Sequence, residues 1–104
     1  MANPYSGEVA IRIDGKRRVM RLTLGALAGL EESLGADTLL LLVARFEGGR
    51  FSSRDVLELI VAGLRGGGWT GDRSDLVEAE IEGGPLEAAR LAGVLLARAF
   101  ALPE

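Results

Sequence analysis

The chain has 104 residues, a formal net charge of −3 and 48% hydrophobic side chains, enough for a single domain over residues 1–104 with one modest core. Neither cysteine nor histidine occurs. Disulfides, thiolate nucleophiles, the commonest metal ligand and the usual neutral-pH proton carrier are therefore missing, so no enzyme, no cofactor and no catalytic or metal site is expected.

No apolar run approaches the roughly 20 residues of a membrane span. The opening MANPYSGEV lacks the basic start and apolar stretch of a secretory signal. The expectation is a soluble, cytoplasmic protein with no membrane contact. Residues 1–52 carry seven basic and six acidic side chains, and residues 53–104 carry five and nine. The front is slightly basic and the rear acidic, which reads first as an ordinary solvated surface and otherwise suits a chain that stacks head to tail or meets a charged partner.

The first element, over about residues 7–23, reads as a β-hairpin. Val9, Ile11 and Ile13 alternate before Asp14-Gly15, a pair suited to the positive φ angles of a tight turn, and Met20, Leu22 and Leu24 alternate after it. A two-residue turn sets Val9 opposite Met20 and Arg12 opposite Arg17. A three-residue loop sets Ile11 opposite Val19 and Arg12 opposite Arg18. Both registers remain open, and both crowd Arg12, Lys16, Arg17, Arg18 and Arg21 near the tip. Like charges facing across strands cost stability. Either they guard an exposed edge against aggregation, or they await a carboxylate, which makes Arg12, Arg17, Arg18 and Arg21 candidate partner-binding residues. Nucleic acid is a weaker partner, because the pI is about 5.0 and no aromatic residue interleaves the patch to stack on bases.

From about residue 24 to 102 the period is helical. Leu24, Leu27, Leu30 and Leu34 form the first stripe, with Thr23 as cap and Gly35 as a left-handed stop. Asp37 can cap a second helix striped by Leu39, Leu42, Val43 and Phe46 and ended by Gly48-Gly49. Ser52, with Asp55 three residues on, can open a third whose VLELIVAGL is apolar nearly all round, which marks it as central. Gly66-Gly67-Gly68 reads as a helix stop, and no phosphate-loop pattern accompanies it. Thr70 to Gly83 is acidic and reads as a short peripheral helix with a solvated face; its spacing matches no EF-hand.

Gly84-Pro85 opens the last helix, running from Pro85 to about Ala101. It carries two apolar stripes. One is Leu86, Ala89, Gly93, Leu96 and Phe100, and the other is Ala88, Leu91, Ala92, Leu95, Ala99 and Leu102. The polar strip of Glu87, Arg90 and Arg98 is interrupted by Val94. Such a helix is buried on two sides. One side is either deep core or an interface for a partner helix or a second copy in a homo-oligomer, and Leu91, Val94, Leu95 and Leu102 are its candidate contacts. The fold class is thus α+β, mainly α: an N-terminal β-hairpin packed on four or five short helices.

The block GEVAIRIDGKRRVMRLTLGALAGLEESLG, with GRFSSRDVLELIVAGLRGGG further on, resembles the small tail assembly chaperones of gene transfer agents and related siphophages, a family also labelled as phage tail tube protein. The resemblance covers nearly the whole chain. It implies a non-enzymatic prophage-derived or gene transfer agent protein, cytoplasmic or associated with assembling tails, that holds the tape measure protein soluble while tail tube protein polymerises around it. A structural, tube-associated tail component is the alternative role. Tube subunits are sheets closed into a ring, whereas this chain shows one hairpin followed by helices. A small DNA-binding helical regulator is a further alternative, disfavoured by Asp55 and Glu58 where phosphates would approach.

Overall fold

In the computed structural model, which describes residues 7–35 and 38–100, the chain runs β1 (Val9–Ile13), β2 (Lys16–Met20), α1 (Leu24–Leu34), α2 (Thr38–Glu47), α3 (Ser53–Gly66), α4 (Arg73–Val77) and α5 (Gly84–Ala99). A hairpin followed by five helices is the expected class. Asp37, Ala101 and Leu102 lie outside the described residues.

The turn settles the register. Asp14 (φ 52°) and Gly15 (φ 79°) both take positive φ, which defines a two-residue turn whose twist matches its strands. Val9 pairs with Met20, Ala10 with Val19, Ile11 with Arg18, and Arg12 with Arg17. Paired residues share a face, so Val9, Ile11 and Met20 point into the core while Ala10, Arg12, Arg17 and Val19 point out.

The caps are those the side chains announce. Thr23 accepts from the Ala26 N–H at 3.0 Å. Ser52 and Asp55 form a reciprocal capping box, with the Asp55 N–H on Ser52 Oγ at 3.1 Å and the Ser52 N–H on Asp55 Oδ2 at 2.9 Å. Gly35 ends α1 at φ 113° and ψ 161°, outside the left-handed helical basin but equally confined to glycine. Leu24, expected in the first apolar stripe, is 86% exposed. It is the first residue of α1 and points away from the face that Leu30 buries.

Helix α3 is the centre. Leu59, Ile60 and Leu64 are fully or almost fully buried, and α1, α4, α5 and β2 all pack on α3. Its glycines set how closely they approach. A Cβ on Gly66 would stand 1.9 Å from the Arg21 carbonyl oxygen, and one on Gly67 equally close to that of Val19. One turn earlier, a Cβ on Gly63 would strike Leu95 at 2.5 Å. Gly63, Gly66 and Gly67 thus form a groove in which the β2 backbone lies, clasped by a hydrogen bond from the Arg21 N–H to the Gly63 carbonyl at 2.8 Å. The reading of the triple glycine as a helix stop alone is corrected: two of the three glycines are where they are because no side chain fits.

The acidic stretch also differs from expectation. Only Arg73–Val77 is helical. The chain then extends along β1, with Ile13 and Ile81 bridged in antiparallel fashion, the Asp14 N–H donating to the Glu80 carbonyl (2.8 Å) and the Glu82 N–H to the Arg12 carbonyl (3.1 Å). The β1 edge offers unpaired peptide groups, and satisfying them outweighs a second turn of a helix so poor in apolar side chains.

Replacing Gly66 by alanine should lower stability by roughly 1–3 kcal/mol or more, since a backbone carbonyl cannot yield as a side chain does. Replacing Gly29, where an added Cβ meets nothing within 4 Å, should raise stability by about 0.5–1 kcal/mol through helix propensity. Denaturant melts of the two variants check the contrast.

Candidate partner-binding groove

An apolar groove of about 830 Å3 lies between the first half of α3, α4 with its extended tail, and the start of α5. Val56, Leu57 and Ile60 form one wall, Leu76, Val77, Ala79 and Ile81 the other, and Pro85, Ala88 and Ala89 close the end. Ser53, Arg54 and Glu80 are the polar side chains of its lining. Every buried side-chain polar atom among the described residues has a hydrogen-bond partner. A small-ligand pocket orients its guest with a few convergent polar groups. This groove instead has the character of a trough for apolar side chains. Val77, 60% exposed, stands at its edge, and Leu86, 83% exposed, adjoins it on α5.

Two ion pairs hold the elements around α3. Glu58, buried on α3, pairs with Arg73 at the start of α4, and so fixes the helix that carries Leu76 and Val77. Asp55, also buried, takes a 2.9 Å bond from Arg45 of α2. In the DNA-binding alternative both acids would face a phosphate backbone. The structure places them inside the chain, each committed to a guanidinium of its own.

Helix α4 is anchored at its start by Asp72. That carboxylate accepts from the Ser74 hydroxyl at 2.6 Å and from the Ser74 and Asp75 backbone N–H groups. These bonds, the Ser74 hydroxyl foremost, hold its pKa below the usual carboxylate range.

The sequence-derived candidates divide. Leu95 is wholly buried and Leu91 nearly so; both belong to the core beneath α3 and β1, where no partner reaches them while the fold is intact. This corrects the choice of stripe on α5. The core takes Ala88, Leu91, Ala92 and Leu95 together with Leu96 of the other stripe, while Leu86 and Phe100 stay exposed and Ala89 is half-buried. Val94 is half-buried, and Leu102 lies outside the described residues. The polar strip is real: Glu87 and Arg90 form a two-bond pair at 2.7 Å each.

Of the arginines, Arg12 has a carboxylate partner within its own chain, Glu82 at 3.4 Å. Arg17 and Arg21 lie on the outer face of the hairpin. Arg18 lies on the inner side with Lys16, beside Trp69 and Asp75 at the tip. The four do not form one cluster. The groove itself went unread in the sequence, although a signal existed: Leu76, Val77 and Ile81 are the large apolar side chains stranded in the acidic stretch.

The family described as phage tail tube protein, GTA-gp10, matches residues 6–102. The chain belongs to that family. Its role is accordingly in a phage or gene transfer agent tail, structural or in assembly, among other tail proteins. No curated protein and no solved structure matches it significantly. Among the described residues, no helix is long and apolar enough to cross a membrane.

Arg73→Ala leaves the buried Glu58 carboxylate without its partner and should cost on the order of 1 kcal/mol, the low end for a buried unpaired group because the guanidinium is half in water. The thermal midpoint reads this.

A second expectation concerns acid. Because the folded state depresses the Asp72 pKa, its contribution is present above the unfolded value and is lost as pH falls through the folded one, below about pH 4. Fluorescence of Trp69, whose ring lies against Gly71 beside this cap, should report loosening of α4 in that range. Asp72→Asn should flatten the response.

Proposed function

We propose that this protein is a non-enzymatic tail assembly chaperone that holds an apolar, helical segment of the tape measure protein in the groove between α3, α4 and α5 while tail tube subunits assemble. The observation that carries this reading is the combination of an open apolar groove with a two-stranded sheet whose edges are each covered over part of their length by the chain itself. The tail of α4 covers the β1 edge along Arg12 to Asp14, and the glycine face of α3 covers the β2 edge at Val19 and Arg21.

A tube wall made of sheets closed into a ring needs free strand edges on each subunit. With β1 engaged along Arg12 to Asp14 and β2 engaged at Val19 and Arg21, a wall subunit would have to give up those contacts to pair along its full edges. The groove needs no such rearrangement. An amphipathic helix laid in it would anchor at i, i+3, i+4 and i+7, and a long tape measure chain offers such segments repeatedly. DNA recognition by α3 is disfavoured for a related reason, since its faces are taken up by α1, β2, α4 and α5.

Co-expression with the tape measure protein of the same tail should keep that protein soluble and allow the two to co-purify. Val77→Glu places a charge at the exposed edge of the groove. It should abolish most of that recovery with little change in melting temperature, because Val77 contributes little to the core. Equal tape measure solubility without the protein would overturn the chaperone reading. So would finding this chain in finished particles at the copy number of the tube subunit.

A further inference from the structure

The outer face of the hairpin carries guanidinium groups around a small apolar centre. Arg12 and Ala10 of β1 lie opposite Arg17 and Val19 of β2, and Arg21 follows two residues beyond Val19 on the same face. The Arg12 carbonyl is turned away from β2, toward Glu82. The Arg12–Arg17 pair is therefore of the non-hydrogen-bonded kind, with Cβ atoms about 4.5–5.5 Å apart. Among the described residues Arg12 has a carboxylate and Arg17 and Arg21 have none. Two exposed cations beside a third thus make no ion pair among the described residues, in a chain that is acidic overall.

We propose that this face docks an extended acidic segment of a partner protein, one with carboxylates four residues apart and an apolar side chain midway between them. Arg17 and Arg21 are four residues apart on an extended strand, about 13 Å, so carboxylates at i and i+4 of an equally extended segment reach both. Half-buried Val19 and Ala10 lie between them and accept the apolar side chain. The molecule already displays this mode of recognition. Its own segment Glu80–Glu82 runs extended beside β1 and places the Glu82 carboxylate on Arg12 at 3.4 Å.

Nucleic acid fits less well. Glu80 and Glu82 border the patch on the β1 side, with the acidic α4 beyond. A duplex carries a charge every ~1.7 Å of its axis and would meet that acidic border at once, whereas a short peptide confined to β2 would not. This surface is separate from the apolar groove, and its test does not depend on the tape measure reading.

The test uses the full chain, labelled with nitrogen-15, and a synthetic peptide with the segment Glu-Thr-Val-Thr-Glu between serines. Amide shifts on titration should concentrate at Arg12, Arg17, Val19 and Arg21 and fade as added salt shortens the screening length from about 30 to 8 Å. The peptide with glutamine in place of glutamate should leave the spectrum unchanged. Arg17→Ser with Arg21→Ser should weaken binding about tenfold, as the loss of two exposed ion pairs implies. The corresponding double lysine variant should retain most of it. Absence of shifts at millimolar peptide, shifts centred elsewhere, or equal binding by the double serine variant would overturn the proposal. Tighter binding of a 20-base-pair duplex at the same amides would overturn it in favour of nucleic acid.

Discussion

The rest of this fold depends on how closely α3 approaches β2. Helix and strand backbones ordinarily stand apart by the length of their side chains. Here Gly63, Gly66 and Gly67 remove those side chains on one face of α3, and the Val19 and Arg21 carbonyls rest where Cβ atoms would be. That contact brings the Met20 side chain fully into the core and puts Leu95 of α5 against the same glycine face. A two-stranded hairpin is marginal in water by itself. This one is held because the last turns of the central helix hold its outer edge directly.

The second constraint is the acidic tail of α4. By pairing with β1 it satisfies peptide groups that would otherwise be open to other chains, neutralises Arg12, and brings Ala79 and Ile81 to the wall of the apolar groove. One segment therefore covers part of the β1 edge and builds a wall of the apolar groove. Its position rests on contacts distant in sequence: Asp14 with Glu80, Arg12 with Glu82, Glu58 with Arg73. Between Gly71 and Gly83 the only apolar side chains that enter the core or pack against it are Leu76, Ala79 and Ile81. This is the part of the molecule with least apolar anchoring, and stability is not uniform in such cases.

Membership of the tail family and the geometry of the surface bear on different questions. The family places the chain among tail proteins and leaves open whether it builds the tail or assists its building. The geometry bears on the second question, through edges that are partly covered and an apolar groove that is open. Function on a small fold resides in such surfaces rather than in the architecture, which many unrelated activities share.

What the sequence determined by itself was local. The Asp14-Gly15 turn, the Thr23 cap, the Ser52–Asp55 capping box and the apolar run of α3 are each decided by residues within a few positions of one another, so chemistry at short range suffices to read them. The hairpin and the order of the helices followed. Tertiary structure decided the rest. Periodicity showed that α5 has two apolar stripes, but Leu91 and Leu95 became core because that side meets the glycine face of α3, a contact some thirty residues away that no period encodes. The glycines at 66 and 67 looked like a stop because a helix end needs only one residue without a side chain, and their close approach to β2 exists only once the chain has come back together. The same holds for Arg12, whose neutralising carboxylate lies seventy positions along the chain. Hydrophobic period and turn chemistry specify which faces an element presents, and only packing specifies what each face meets.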